Sequence, residues 1–289
     1  MPRPATILVT GATGTTGSRL VRRLVDAGHP VRAAARRPRP AAGAESATFD
    51  WNDPDTHRPA VDGAAAVYLI PPPGTLDPVP VMLPFLDLAR RAGVRRAVLL
   101  SSSQVESGGP GAGGVHRVLP ELFPEWAVLR PSWFMQNLTG QHQHAEAIRR
   151  DGLLTTATGE GRVAFVDADD IAAVAAYALT DPVPHNTDRV LTGPRPLSYA
   201  EAAAVLGEAT GRPVRHRPVT VAEMTARYAP FMPEEFAALL AGLDGAIAEG
   251  AEDRVTDEVE RVTGRPPRSF EEHVRTAVAA KERTVTAAS

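Results

Sequence analysis

Short, wholly apolar runs alternate with segments of helical period through the first half of the chain. Residues 6–10 form a β-branched apolar run that stops at Gly11. Across residues 15–27, Leu20, Val21, Leu24 and Val25 recur at helical spacing, and Gly28 closes that helix. Residues 31–35, 47–49 and 67–70 predict three further strands, the last stopped by Pro71, Pro72 and Pro73. A helix over residues 78–92 ends at Gly93, and strands follow at 97–100 and 127–129. Strands that are apolar throughout, separated by helices, form a parallel sheet covered on both faces. Right-handed crossovers then make the sheet doubly wound.

Beyond about residue 150 the pattern loosens. Residues 169–179 predict a strong helix, and Ser198 can cap another, with Glu201 completing a capping box. Pro230, Pro233, Pro266 and Pro267 punctuate further short helices. The expected division is therefore a nucleotide-binding domain over 1–150 and a smaller, mainly helical substrate-side region over 151–289, intertwined with the first.

Composition narrows the function. The net charge is -3 with no long run of one sign, which argues against nucleic acid as a partner, because phosphate neutralisation needs a basic face. No stretch reaches the roughly 20 apolar residues that span a bilayer, and no signal-peptide core precedes the first glycines. The expected location is cytoplasmic. The chain has no cysteine, so disulfides, thiolate catalysis and cysteine metal sites are excluded. His142 and His144, beside Gln141 and Gln143, give no credible metal site and read as solvated. Lys281 is the only lysine among the 31 basic residues, so none stands near the N-terminal motifs.

The segment Thr10-Gly11-Ala12-Thr13-Gly14-Thr15-Thr16-Gly17 lies between the first strand and the first helix, where a phosphate-binding turn belongs. Gly11 allows the tight turn, Gly14 lets backbone approach a pyrophosphate, and Gly17 lets the helix pack close. The helix N-terminus offers free N–H groups and a positive dipole end. This context makes a bound nicotinamide dinucleotide the expectation and the fold a Rossmann-type α/β sheet. An acid on the ribose 2′-OH marks NAD preference, yet the second strand ends Ala35-Arg36-Arg37. Arginine suits a 2′-phosphate, so NADPH is the expected cofactor, with NADH as the alternative.

The glycine loop, Ser101-Ser102-Ser103 after a strand, the run from Leu129-Arg130-Pro131-Ser132-Trp133-Phe134 through Met135-Gln136-Asn137, and Phe165-Val166-Asp167-Ala168-Asp169-Asp170-Ile171 together resemble the NmrA-like atypical short-chain dehydrogenases. Leu191-Thr192-Gly193 and Ser198-Tyr199-Ala200-Glu201 extend the resemblance over nearly the whole chain. That group includes triphenylmethane and quinone reductases, ergot-alkaloid dehydrogenases and redox-sensing regulators. The resemblance implies cofactor contacts at Gly11, Thr13, Gly14, Thr15, Thr16, Gly17 and Arg36. It also places Asp50 and Trp51 beside the adenine, and Ile70, Pro71, Ser101 and Pro131 around the nicotinamide. Ser103 faces the substrate, and Trp133, Phe134 and Asn137 would bind it.

The group's Tyr-x-x-x-Lys pair is missing. No tyrosine or lysine lies between Ser103 and Trp126. His116 is the one obvious proton donor there, or else a histidine on the helix surface, and Pro120 should interrupt its helix. A ketone would need that acid, whereas a quinone, iminium or triaryl cation accepts hydride with little help. The expectation is reduction of a flat aromatic electrophile, set by positioning. The resemblance also admits a place in aromatic polyketide biosynthesis, a reductive part in ring hydroxylation, and a partner protein or homodimer. A redox-sensing regulator without turnover is the alternative.

Overall fold

A computed structural model describes residues 6–41 and 43–288. In chain order its elements begin β1 (Thr6–Val9), α1 (Thr15–Asp26), β2 (Val31–Ala35), β3 (Glu45–Thr48), α2 (His57–Val61), β4 (Ala64–Leu69), α3 (Val79–Arg91), β5 (Arg96–Leu100), α4 (Ala112–Leu122) and β6 (Glu125–Pro131). Next come α5 (Gln136–Thr139), α6 (Gln143–Asp151), β7 (Leu153–Thr156), β8 (Arg162–Val163), α7 (Ala168–Thr180) and β9 (Thr187–Leu191). The chain finishes with β10 (Leu197–Ser198), α8 (Tyr199–Thr210), β11 (Arg215–Pro218), α9 (Val221–Tyr228), α10 (Glu234–Ala248), α11 (Glu258–Thr263) and α12 (Phe270–Ala288).

Seven strands form one sheet in the order β3-β2-β1-β4-β5-β6-β9. Every pairing from β3 through to β6 is parallel. The order reverses beside β1, which creates the switch point where α/β sheets bind ligands. The predicted doubly wound α/β class is thus the observed one. β1, β4, β5 and β6 are buried along most of their length, while the edge strand β3 is largely exposed and polar. Helix α1 turns Leu20, Val21 and Leu24 inward, and α3 turns Met82, Phe85, Leu86 and Ala89.

Two compact units result. The first holds residues 1–131, 168–190 and 261–264; the second holds 132–167, 191–260 and 265–289. The chain therefore changes unit at Pro131, not near residue 150. The helix expected at 169–179 is present as α7, but it belongs to the first unit rather than to a substrate-side region. Its physical reason is composition. Ala168, Ala172, Ala173, Ala175 and Ala178 are all buried, and such small side chains let α7 lie close along α1. Asp169 pins the two helices by pairing with Arg19 and Arg22 of α1, each at 3.3 Å.

The second unit is not purely helical. β7 pairs in parallel with β11, and β8 antiparallel with β10. The capping box predicted at Ser198 is formed: its Oγ accepts from Glu201 N at 3.1 Å, and Glu201 Oε2 accepts from Ser198 N at 2.7 Å. A further correction concerns Pro120, which does not break α4; the helix continues to Leu122. A proline so close to the C-terminal end removes a single backbone bond, and buried Val115 and Leu119 hold the helix in place. No helix among the described residues is long and apolar enough to cross a membrane.

Candidate active site

The carboxyl ends of β1, β2, β4, β5 and β6 form one rim of the first unit, and most predicted cofactor residues stand on it. Gly11 has φ +60, the left-handed region that favours glycine. A Cβ there would meet Ile70 Cδ1 at 2.9 Å. Gly17 packs its helix turn onto the loop itself, since a Cβ would sit 2.3 Å from the Gly11 oxygen. Gly14 is the N-cap of α1, has no side-chain cap, and is exposed with Thr13 and Thr15. An uncapped N-terminus behind a glycine cradle leaves backbone N–H groups for phosphate oxygens. The residues present therefore fit a dinucleotide. When bound, that cofactor would supply the hydride.

Thr10 fixes this cradle to the rest of the rim. Its Oγ1 donates to the Tyr68 carbonyl and accepts from Ile70 N, both at 2.9 Å. The Thr16 side chain is directed inward instead, where Tyr68 OH donates to its Oγ1 at 3.4 Å, so only its backbone is available to a phosphate. Burial raises the Tyr68 phenol well above its ordinary value, against the bond to Thr16. Trp51 is half-buried, packs edge-on against Phe49 and Phe85, and donates its indole N–H to Ile70 O at 2.9 Å. It ties the loop after β3 to the end of β4, with Ile70 and Pro71 half-buried beside it. The Asp50 carboxylate accepts from Asn52 N at 3.0 Å.

Arg36 is exposed at the end of β2 and has no ion-pair or hydrogen-bond partner among the described residues. Arg36→Ala should weaken NADPH binding by about 1.5–3 kcal/mol, the worth of a charge-assisted contact, and leave NADH nearly unchanged. Paired calorimetric titrations check this. Equal losses for both cofactors would show that Arg36 does not read the 2′-phosphate.

Ser103 is buried, donates its N–H to Pro131 O at 2.9 Å, and lends its carbonyl to Arg130 Nη2 at 3.0 Å. Arg130 also pairs with Asp188 at 2.7 Å and with Glu106. The arginine of the 129–137 motif is thus a clamp that holds the loop after β5 against β6 and β9. Close by in sequence, Ser101 Oγ and Gln104 Nε2 are buried without a hydrogen-bond partner. Gln104 escaped sequence reasoning because a lone glutamine in a loop has no pattern; its unpaired amide is the signal.

His116 makes no hydrogen bond to this rim among the described residues. It lies on α4, is buried rather than on the helix surface, and rests against Trp126, whose backbone pairs with Ala97 at the start of β5. Burial lowers its pKa, with Arg130 assisting and Asp188 and Glu106 opposing. Its protonated form is therefore scarcer than that of a free imidazole.

In the second unit the chain leaves Ser132 through Trp133 and Phe134, both half-buried. Val166 N donates to Trp133 O at 2.9 Å, and Met135 N to Val166 O at 3.0 Å. The Asn137 side chain is half-buried with no partner among the described residues. Asp167 is wholly buried and gathers Gln136, Arg268 and His273. His142 and His144 are half-buried rather than solvated. His142 caps α6 by accepting from His144 N at 3.2 Å, and burial lowers His144 to about 3.

Comparison with known proteins agrees with this geometry. A family described as NAD(P)H-binding matches residues 11–123. The oxidoreductase YesF of Bacillus subtilis (strain 168) is 48% identical over 267 residues, covering 92% of this chain and 93% of that protein. Festuclavine synthase II of Penicillium roqueforti is 38% identical over 92% of this chain and 96% of its own length. The NADPH-dependent quinone oxidoreductase QOR2 of Escherichia coli, solved with NADPH, superposes with a TM-score of 0.77 at 21% identity, over 93% of this chain and 99% of that one. A phosphate cradle at the switch point of a doubly wound sheet, and relatives of this identity along nearly the whole length, place the chain in the NmrA-like atypical short-chain dehydrogenase/reductase family, as an NAD(P)H-dependent reductase.

Proposed function

We propose that this protein transfers hydride from NADPH to a flat, electrophilic small molecule of the quinone or iminium type, in the biosynthesis of an aromatic secondary metabolite. One observation carries the reading. β6 runs from buried Pro131 directly into half-buried Trp133 and Phe134, with the unpaired Asn137 amide one turn on. Aromatic walls with a single polar group suit a flat ring system. In α4, where an acid pair would stand in many short-chain reductases, the side chains at 115, 116 and 119 are buried and packed. Ring electrophiles of this class need orientation more than strong acid catalysis.

The test is NADPH oxidation with a panel of naphthoquinones and cyclic iminium salts, repeated in two variants. Wild type should turn over. Trp133→Ala should lose about 100-fold in kcat/KM, the cost of a misplacement of about 1 Å. His116→Ala should lose much less than the roughly 100-fold of a missing general acid. Tight NADPH binding without any turnover would instead indicate a sensor. Loss of turnover in His116→Ala with a silent Trp133→Ala would overturn this assignment.

A further inference from the structure

Just past the carboxyl end of β5, Ser101 Oγ and Gln104 Nε2 are shut from solvent with no hydrogen-bond partner among the described residues. Buried polar atoms are almost always paired. Ser101 already stands among the expected nicotinamide contacts, whereas Gln104 has no assigned part. The backbone places both on the rim of the first unit. Ser101 N donates to Leu129 O at 2.7 Å, and Ser103 N to Pro131 O at 2.9 Å. Gln104 thus follows directly on a residue tied to the end of β6. Its Cα lies within about 11 Å of that of Ser101, three residues away. In the sheet, β4 and then β5 stand beside β1. A dinucleotide whose phosphates sit after β1 runs along this rim.

The acceptors next to Gln104 in the chain are already used. Val105 N donates to Ser102 O at 3.0 Å, and Gly109 N to Glu106 O at 3.0 Å. Arg130 bonds both Ser103 O and the Glu106 carboxylate. The turn itself is fixed. Gly108 N donates to Gly113 O at 2.7 Å, and a Cβ on Gly113 would run into Glu106 O, so the start of α4 packs directly on it. Gln104 as a whole is half-buried, and its Oε1 makes no hydrogen bond among the described residues and, unlike the nitrogen, is not shut from solvent. The amide therefore stands at the edge of the rim, and rotation about its terminal bond turns the N–H groups outward. A donor held in place before the reaction is what a developing oxyanion needs.

We propose that the Gln104 amide donates to a ring oxygen of a quinone substrate and stabilises the charge that hydride transfer places there. This rests on the reductive reading above, in its quinone form. The quinone gains hydride: a C–H bond of the reduced nicotinamide breaks, a bond to hydrogen forms on the quinone, and two electrons pass to it. The product is the hydroquinone monoanion, with its charge on a ring oxygen. Such a phenolate resembles a tyrosinate, whose conjugate acid has a pKa of about 10. A hydrogen bond therefore suffices where the alkoxide of a ketone would need an acid. Water supplies the last proton as the hydroquinone leaves, and the nicotinamide is left oxidised. Gln104 so serves a site that lacks the Tyr-Lys pair.

The test is turnover of 1,4-naphthoquinone with NADPH by wild type and Gln104→Leu, with NADPH titration and thermal melting of both. The variant's kcat should fall about 100-fold, the cost of one oxyanion donor. Its NADPH affinity should be unchanged. It should melt no lower than wild type, because leucine removes a buried donor that nothing pairs. Wild-type kcat in Gln104→Leu, with or without a lower melt, would show that the amide only holds the turn or binds water; it overturns the proposal and leaves the reductive reading intact. An NADPH affinity that falls as far as kcat also overturns it, since the amide would then hold the nicotinamide carboxamide. If wild type reduces no quinone, the quinone reading fails, and binding of the 2-hydroxy-1,4-naphthoquinone anion to the chain saturated with oxidised NADP decides alone. Affinity about tenfold weaker in Gln104→Leu supports the role of Gln104; equal affinity, or no binding to either chain, overturns it. Should Gln104→Leu not fold, Gln104→Glu keeps the shape and offers only acceptors near pH 7. It should slow kcat by at least as much, and an unchanged kcat there overturns the proposal.

Discussion

Gly14→Val should leave the chain folded and remove most of its affinity for the dinucleotide. Gly14 has φ -84 and ψ -177, extended backbone open to any residue. A Cβ there meets only the Gly11 oxygen, at 3.2 Å, which is tight but needs a shift of a few tenths of an ångström. The added side chain would lie before the uncapped start of α1, where phosphate oxygens must approach. Overfilling such a contact costs about 3 kcal/mol, a factor of roughly 100 in Kd. Gly17→Ala is the contrast, because its Cβ would fall 2.3 Å from the Gly11 oxygen and 2.9 Å from the Gly11 carbonyl carbon. That contact is backbone on backbone, so folding itself should fail. Calorimetric titration of NADPH and circular dichroism of both variants check the pair. A folded Gly14→Val with wild-type NADPH affinity would show that the loop does not hold the pyrophosphate.

Asp167→Ala should destabilise the second unit by about 3–5 kcal/mol, the cost of removing one partner from a buried ion pair. Asp167 is 0% exposed. Its Oδ1 accepts from Gln136 Nε2 at 2.8 Å, and its Oδ2 accepts from Arg268 Nη1 and His273 Nδ1, each at 2.9 Å. His273 reaches on to Thr139 Oγ1 at 2.8 Å. One carboxylate thus joins α5 to the segment 268–273 at the start of α12. Without it Gln136, Arg268 and His273 each lose one polar partner. Urea denaturation followed by tryptophan fluorescence measures the loss. A change below about 1 kcal/mol would mean that water or a neighbour replaces the carboxylate.

The rim was legible in the sequence because local rules write it. Gly11, Gly14 and Gly17 are fixed by backbone requirements within one turn, and Arg36 follows from its distance past them. The Pro131–Asn137 run was also legible as a motif, yet its parts act differently from one another: Arg130 is an internal clamp, whereas Trp133, Phe134 and Asn137 remain half-buried. His116 misled because a sequence shows which residue can give a proton but not which way α4 turns it. The burial of Asp244 is hidden for the complementary reason. An acid in an alanine-rich helix reads as a solvated position, and only packing shows that 244 falls on the buried stripe with 237, 241 and 247.

By itself the sequence determined the order of most strands and helices up to about residue 131, the parallel sheet, the phosphate loop and the absence of a Tyr-Lys pair. Each of these is set by periodicity, glycine geometry or residue identity over a short span. Tertiary structure alone decided where the chain leaves the first unit, that α7 returns to pack along α1, that α4 runs through Pro120, and that Asp244 is buried. These depend on contacts between residues far apart in the chain, whose energy comes from burial and pairing that no local pattern records.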